Sequence, residues 1–280
     1  MTTTHEAPTR EATTQGVHPR NGNYVEVGGV QTYYEVTGTG EPVILLHGGL
    51  CPAESWDPQT PALAEQYRVY VPERYGHGRT PDIDGPITYE NMARHTIAFM
   101  ETLGIESAHL VGWSDGALVG VLVALRRPEL VRKLVWIDQY VTLADAPPGL
   151  VPFLAAMSVD TAPPPFVELY GAVSPDGPGH FGVVLDKLRT LWTGETGVDI
   201  ADLEHVVAST LLLAADDGGM TLEHLAAARR ALPDAQVAVV PGTSHGLVME
   251  KPHVVNQLLL GFLADEQVPK LLSYREGDQR

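Results

Sequence analysis

One serine of this chain lies between small residues in a pattern that is typical of nucleophilic enzymes. The run GWSDG at residues 112–116 fits Gly-x-Ser-x-Gly, follows an apolar run that ends at Val111 and opens an apolar helical period. In that strand-turn-helix context the pattern is typical of a nucleophile elbow, a sharp turn that exposes a serine hydroxyl at the end of a strand. We therefore predict Ser114 as a nucleophile; a helix-capping serine is the structural alternative.

A second match, GTSHG at residues 242–246, also follows a predicted strand. The sequence directly after it does not predict a long helix, and His253 is the only histidine further along the chain that could act as a base. Ser114, in contrast, has His245 downstream, in the chain order serine, acid, histidine that elbow architectures use. The first match is therefore the predicted nucleophile.

A serine hydroxyl becomes nucleophilic when a base takes its proton, and an imidazole with a pKa near about 6.5 does so at neutral pH. The chain has 11 histidines. His245 lies in a glycine-flanked loop after the last predicted strand, where a side chain reaches the carboxyl edge of a parallel sheet. We predict His245 as the general base.

Acyl transfer also needs two preorganised donors for the oxyanion. The run VILLHGGL ends a predicted strand with His-Gly-Gly at residues 47–49, and glycines let a backbone approach a substrate closely. We predict the backbone N–H groups of Gly49 and Asp115 as the oxyanion hole. Leu50, beside this loop, and Trp113, beside the nucleophile, are expected to contact the substrate.

Short apolar runs bounded by turn residues predict strands that are buried on both faces. In chain order these runs are 43–46, 69–71, 108–111, 133–137, 211–214 and 236–240. An alternating pattern on both sides of Gly28 and Gly29 predicts a hairpin that precedes these runs in the chain. Because helical periods separate the runs, the predicted class is α/β with a mostly parallel sheet.

The predicted organisation has four parts. Residues 1–22 show no apolar period and are expected to form a disordered segment. Residues 23–138 and 201–280 form the two parts of the α/β core. Residues 139–200, in which proline-rich stretches interrupt weak helical segments, form an inserted cap, and Trp192 of this cap is expected to contact the substrate.

Taken in order, the segments LLHGG, VPERYGHGRTPD, LVGWSDGA, LLLAADD and PGTSHG resemble those of the α/β-hydrolase superfamily over residues 24–265. Within it, GWSDG is similar to the elbow of valacyclovir-hydrolase-like serine esterases. The resemblance implies an eight-stranded sheet with helices on both faces and a cap after the sixth strand. It also implies a triad of serine, acid and histidine, without a metal or an organic cofactor.

The resemblance leaves the acid of the triad open. In these hydrolases the strand before TLEH usually ends Gly-x-x-Asp, but Gly218 occupies the last of these positions here. Asp217 or Asp216 would substitute from the same strand. Asp138, at the end of the predicted strand LVWID, is the other candidate, because haloalkane dehalogenases, zearalenone-type lactonases and cofactor-free ring-cleaving dioxygenases resemble one another in taking their acid there. We favour Asp138 and keep Asp217 as the alternative.

Asp115 has a second potential role. In valacyclovir-hydrolase-like enzymes the carboxylate after the nucleophile is implicated in binding a substrate ammonium group, which predicts here that amino-acid esters outcompete uncharged esters. The alternative is that this side chain is solvated or stabilises the start of the elbow helix, where a carboxylate suits the helix dipole.

The composition and charge of the chain exclude several classes of partner. A formal net charge of −17 repels nucleic-acid phosphates. The longest apolar stretch, residues 116–125, is about half of a membrane-spanning helix, and with Cys51 as the single cysteine no intrachain disulfide forms. The N-terminal sequence lacks the features of a signal peptide. We expect a cytoplasmic monomer or homodimer with no nucleic-acid or membrane partner.

The predicted function is cofactor-independent hydrolysis of a small-molecule ester or lactone through an acyl-enzyme. Two other classes fit the same residues. A cofactor-free oxygenase would use a dyad of His245 and Asp138, and a non-catalytic ligand receptor would use the fold alone.

Overall fold

An eight-stranded sheet lies at the centre of the protein, whose computed structural model describes residues 20 and 22–264. The strands are β1 (Asn23–Val27), β2 (Val30–Thr37), β3 (Glu41–Leu46), β4 (Tyr67–Pro72), β5 (Ala108–Trp113), β6 (Val131–Ile137), β7 (Ser209–Asp217) and β8 (Ala235–Ser244). Their order across the sheet is β1-β2-β4-β3-β5-β6-β7-β8. Strand β2 pairs antiparallel with β1 and β4, and the other neighbours pair parallel. The predicted hairpin and parallel α/β sheet are confirmed.

Helices cover both faces of the sheet. They are α1 (Thr60–Ala64), α2 (Tyr89–Thr102), α3 (Asp115–Arg126), α4 (Leu150–Ala156), α5 (Pro164–Val173), α6 (Phe181–Thr193), α7 (Leu222–Ala231), α8 (Leu247–Glu250) and α9 (Pro252–Leu263). Helices α2, α3 and α7 pack on one apolar cluster, and α1, α8 and α9 pack on the other. The central strands are therefore buried on both sides, which is why their sequences read as uninterrupted apolar runs.

Between β6 and β7 the chain leaves the sheet and forms a cap of α4, α5 and α6. Short 3-10 helices join these elements at Leu143–Asp145, Pro178–His180 and Ile200–His205, and two more lie in the core at Ala53–Trp56 and Pro128–Leu130. The predicted boundary at residue 200 falls at the start of the third of them, which packs against α7 of the core. The predicted lead-in, residues 1–22, lies outside the described residues except for Arg20 and Gly22.

None of the helices within residues 22–264 has the length and apolarity that crossing a bilayer requires.

Candidate active site

Ser114 lies at the turn between β5 and α3. Its backbone has φ 56° and ψ −126°, a conformation that costs a non-glycine residue about 1 to 3 kcal/mol. A Cβ on Gly112 would lie 2.2 Å from the carbonyl oxygen of Gly116, and one on Gly116 would lie 2.0 Å from that of Leu46. The two glycines of the motif are therefore required by close packing, and the turn they permit carries Ser114 to the carboxyl end of the sheet.

Ser114, His245 and Asp138 form one hydrogen-bonded line. Nε2 of His245 lies 2.9 Å from Oγ of Ser114, and Nδ1 lies 2.8 Å from Oδ2 of Asp138. An ionised carboxylate only accepts hydrogen bonds, so Nδ1 carries the imidazole proton and Nε2 is able to accept the serine proton. The His245 side chain is 43% exposed, whereas that of Asp138 is fully buried.

Backbone donors hold the Asp138 carboxylate at the end of β6. Its Oδ1 accepts the N–H of Ala215 at 3.0 Å, and its Oδ2 accepts the N–H of Gly219 at 2.6 Å. A buried charge without such partners would cost several kcal/mol. These bonds therefore stabilise the carboxylate and fix the oxygen that faces His245.

Gly218 leaves room for the carboxylate of Asp138. A Cβ at this position would lie 2.3 Å from Oδ2 and 2.5 Å from Oδ1 of Asp138. A side chain at residue 218 and the carboxylate of Asp138 thus exclude each other sterically. Residue 218, where the family pattern has an aspartate, is a glycine here, and the missing side chain leaves the space that the Asp138 carboxylate occupies.

The two other candidate acids have different places. Asp217 is exposed and lines the cavity, and within the described residues no hydrogen bond joins its side chain to His245. Asp216 accepts the N–H groups of Gly242 and Thr243 at 2.8 and 3.0 Å. It therefore braces the start of the loop that carries His245 without contacting the imidazole.

Trp113 and the serine of the second motif hold that same loop. Nε1 of Trp113 donates to the carbonyl oxygen of His245 at 2.8 Å, and the two rings lie 5.6 Å apart. The N–H of Ser244 donates to Oε2 of Glu250 at 2.7 Å, and its hydroxyl donates to Oε1. Ser244 thus pairs with a carboxylate, and no hydrogen bond among the described residues joins its hydroxyl to a histidine.

The loop after β3 lies against the elbow. A Cβ on Gly48 would lie 3.2 Å from Cβ of Ser114, and one on Gly49 would lie 2.6 Å from Oδ2 of Asp115. Asp115 is the first residue of α3, where backbone N–H groups have no acceptor within the helix. Among the described residues no backbone carbonyl accepts the N–H of Gly49. Both N–H groups are therefore near Ser114 and available to a ligand.

Backbone strain is concentrated at this edge of the sheet. Leu50, Ser114 and Asp138, with φ of 59°, 56° and 51°, are the non-glycine residues with positive φ in the described part of the chain. Such conformations persist where the surrounding structure fixes them and cluster at functional sites. All three lie in or beside the hydrogen-bonded line, in agreement with a preorganised site.

The Asp115 carboxylate is enclosed. The residue is 1% exposed; its Oδ1 accepts the hydroxyl of Tyr89 at 2.8 Å, and its Oδ2 accepts Nε1 of Trp192 at 2.9 Å. The indole of Trp192 thus covers the group and ties α6 of the cap to the elbow helix. The structure gives this carboxylate protein partners, so it is not an open site for a substrate ammonium group.

A cavity of about 550 Å³ opens over Ser114 and His245. The predicted contacts Leu50, Trp113, Asp115 and Trp192 all line it. Further apolar lining comes from residues that the sequence did not single out, namely Leu150, Phe153, Leu154, Met157 and Met249. Neither lysine nor arginine is among the described residues that line it.

Cys51 also lines the cavity, and burial raises the pKa of its thiol to about 12. Because the thiolate is the nucleophilic form, this cysteine is a poor nucleophile at neutral pH. Within residues 22–264, no group of three or more His, Cys, Asp or Glu side chains is arranged to hold a metal ion.

The fold and the site define a class of protein. Residues 43–258 match the family model "Alpha/beta hydrolase family". The chain belongs to that family and is a hydrolase. This agrees with the eight-stranded sheet and with the resemblance noted in the sequence.

Similar proteins include the putative carbamate hydrolase RutD of Azorhizobium caulinodans, which is 28% identical over 266 residues, covering 86% of this chain and 98% of that protein. The carboxylesterase CesB of Bacillus subtilis is 25% identical, with a TM-score of 0.70 over 86% of this chain and 90% of that chain. The meta-cleavage product hydrolase CumD of Pseudomonas fluorescens has a TM-score of 0.76 at 24% identity, over 88% and 98% of the two chains. This last similarity concerns the fold.

Proposed function

We propose that this hydrolase cleaves a carboxylic ester or lactone of a small to medium molecule through an acyl-enzyme on Ser114. The observation that carries the proposal is the line of hydrogen bonds from Ser114 through His245 to the buried Asp138. CesB is named a carboxylesterase and RutD a putative carbamate hydrolase. Both names refer to derivatives of a carboxyl or carbamoyl group, and their similarity to this chain supports the proposal.

In the proposed mechanism, Nε2 of His245 takes the hydroxyl proton as Oγ of Ser114 attacks the carbonyl carbon. The N–H groups of Gly49 and Asp115 donate to the oxyanion, and Asp138 stabilises the imidazolium. The intermediate collapses when His245 gives its proton to the leaving alkoxide. Water, deprotonated by His245, then attacks the acyl-enzyme, and the acid and the free serine are released. In a lactone the leaving alcohol stays tethered to the acyl group.

The distance between serine and histidine favours hydrolysis over the oxygenase alternative. An oxygenase would use His245 and Asp138 to deprotonate its substrate and would leave Ser114 a positioning role. Here Oγ of Ser114 itself occupies the acceptor side of the imidazole at 2.9 Å, which is the arrangement of a nucleophile with its base.

A panel of p-nitrophenyl esters and aliphatic lactones tests the proposal. We expect product release without oxygen uptake, and Ser114→Ala should lower kcat on the order of 10⁶-fold. Ser107→Ala, at the opposite edge of the sheet, is the matched control and should change kcat less than about threefold. Oxygen consumption, or turnover that is independent of Ser114, would contradict the proposal.

We further propose that the preferred substrate carries no negative charge around the scissile bond. No lysine or arginine among the described residues lines the cavity, the enclosed Asp115 lies beside the acyl site, and Asp217 adds negative charge at the cavity. A carboxylate near the scissile bond is therefore repelled.

In matched esters, we expect kcat/KM for the neutral compound to exceed that for a carboxylate-bearing one by about tenfold, equivalent to about 1.4 kcal/mol. Asp217→Asn should reduce the discrimination against the anion. A higher salt concentration should also reduce it, because salt screens the charge of Asp217. A carboxylate-bearing ester that is cleaved as efficiently as the neutral compound would contradict this expectation.

A further inference from the structure

Arg74, in the segment VPERYGHGRTPD after β4, is buried beneath the loop that supplies Gly49. It is 2% exposed. Its Nη2 donates to the carbonyl oxygen of His47 and, at 3.3 Å, to that of Gly48. Burial lowers the pKa of Arg74 to about 10, against the opposing effect of the Asp115 charge, so the guanidinium is charged at neutral pH. Burying a charged arginine costs several kcal/mol of folding free energy, so a role beyond stability is expected for these contacts.

His47 directs a second donor at the same carbonyl. The backbone N–H of Arg74 donates to Nε2 of His47 at 3.0 Å, which places the proton of the neutral ring on Nδ1. Nδ1 then donates to the carbonyl oxygen of Gly48 at 2.7 Å. Burial, together with the charge of Arg74, lowers the pKa of His47 well below its ordinary value, in agreement with a neutral ring. The N–H of Cys51 lies 3.4 Å from the same oxygen.

The carbonyl of Gly48 and the N–H of Gly49 belong to one peptide group. In a planar trans peptide these two groups point in opposite directions. Donors that hold the carbonyl from the protein side therefore turn the N–H of Gly49 away from them. The two glycines flanking this peptide lack the Cβ atoms that would restrict its rotation. Hydrogen bonds to the carbonyl also polarise the amide and strengthen its N–H as a donor.

We propose that Arg74 is a positioning residue: by holding the Gly48 carbonyl it keeps the Gly49 N–H directed at the oxyanion formed on Ser114. Arg74 acts through the peptide, since it is not among the described residues that line the cavity. The inference rests on the proposed function, because the oxyanion arises only when Ser114 attacks a carbonyl carbon.

Arg74→Met removes the guanidinium donors and provides an apolar side chain of similar length, while Arg74→Lys keeps a cation. Because loss of one oxyanion donor costs about 10²- to 10³-fold in kcat, we expect Arg74→Met to lower kcat by about 10²-fold, with KM changed less than about threefold. The kcat of Arg74→Lys should lie between those of Arg74→Met and wild type. Binding of a trifluoromethyl ketone, whose Ser114 adduct carries an oxyanion, should weaken in parallel with kcat/KM, and binding of the alcohol product should not change.

Arg79→Met is the matched control, because Arg79 lies on the same loop but pairs with Glu54 and Glu73. It should lower the unfolding temperature and leave the ratio of ketone to alcohol affinity as in wild type. Equal losses of ketone and alcohol binding in Arg74→Met would overturn the assignment.

A crystal structure of Arg74→Met tests the same role without a substrate. We expect the Gly48–Gly49 peptide to be rotated or split between two orientations, and an unchanged peptide would overturn the proposal. If the wild-type protein neither turns over the panel nor forms the ketone adduct, the proposed function fails. In that case the orientation of the Gly48–Gly49 peptide in Arg74→Met still decides whether Arg74 positions the loop.

Discussion

Asp138→Asn should lower kcat by about 10⁴-fold, the cost of fixing a catalytic histidine in the wrong tautomer. The carboxylate of Asp138 accepts hydrogen bonds at both oxygens, from Ala215, Gly219 and His245. An asparagine NH₂ group on the His245 side would drive the imidazole proton to Nε2, where it blocks acceptance of the serine proton. An NH₂ group on the other side would face the N–H of Ala215, donor against donor.

The same substitution at the neighbouring candidate is the control. Asp217→Asn should change kcat for a neutral ester by less than about threefold, because no hydrogen bond joins Asp217 to His245 in the described structure. Initial rates give kcat and KM for both variants, and circular dichroism verifies that both are folded. Equal, small losses in the two variants would refute the assignment of Asp138 as the acid.

Gly218→Ala should lower kcat strongly, although residue 218 contributes no side chain to the site. Its Cβ would lie 2.3 Å from Oδ2 of Asp138, so the carboxylate must shift. A misplacement of about 1 Å in a catalytic group costs about 10²-fold in kcat. Gly179→Ala is the matched control, because a Cβ there meets no atom within 4 Å, and it should behave as wild type.

A double-mutant cycle separates this effect from general damage to the β7 loop. In an Asp138→Gly background, Gly218→Ala should cost little further activity, since the carboxylate that it displaces is already absent. The expected signature is strong coupling between residues 138 and 218. A full additional loss in the double variant would show that the Gly218→Ala substitution acts through other contacts.

The strands and the elbow were predictable because their sequence signals are local. Strands buried on both faces are continuous apolar runs, and the spacing of Gly112 and Gly116 follows from the close packing that their turn requires. The pairing of His245 with Asp138 was harder to predict, because it depends on β6 and β7 lying side by side. Gly218 nevertheless carried information, since its departure from the family pattern is what makes room for Asp138.

Other features of the site arise from contacts between distant segments. The closure of Asp115 joins it to Tyr89 and Trp192, which lie 26 and 77 residues away in sequence. The apolar lining from the cap has no periodic signal that separates a residue facing the cavity from one packed within the cap. The burial of Arg74 was equally hidden, because nothing local distinguishes a buried arginine from a solvated one.

The central claim is that Ser114 is an activated nucleophile, and its most direct test is the mass of the intact protein after reaction with a fluorophosphonate. We expect one adduct per chain, mapped by peptide analysis to Ser114, absent in Ser114→Ala and formed far more slowly in His245→Ala. A folded wild-type protein that forms no adduct, or one that is labelled at Ser244 instead, would contradict the account.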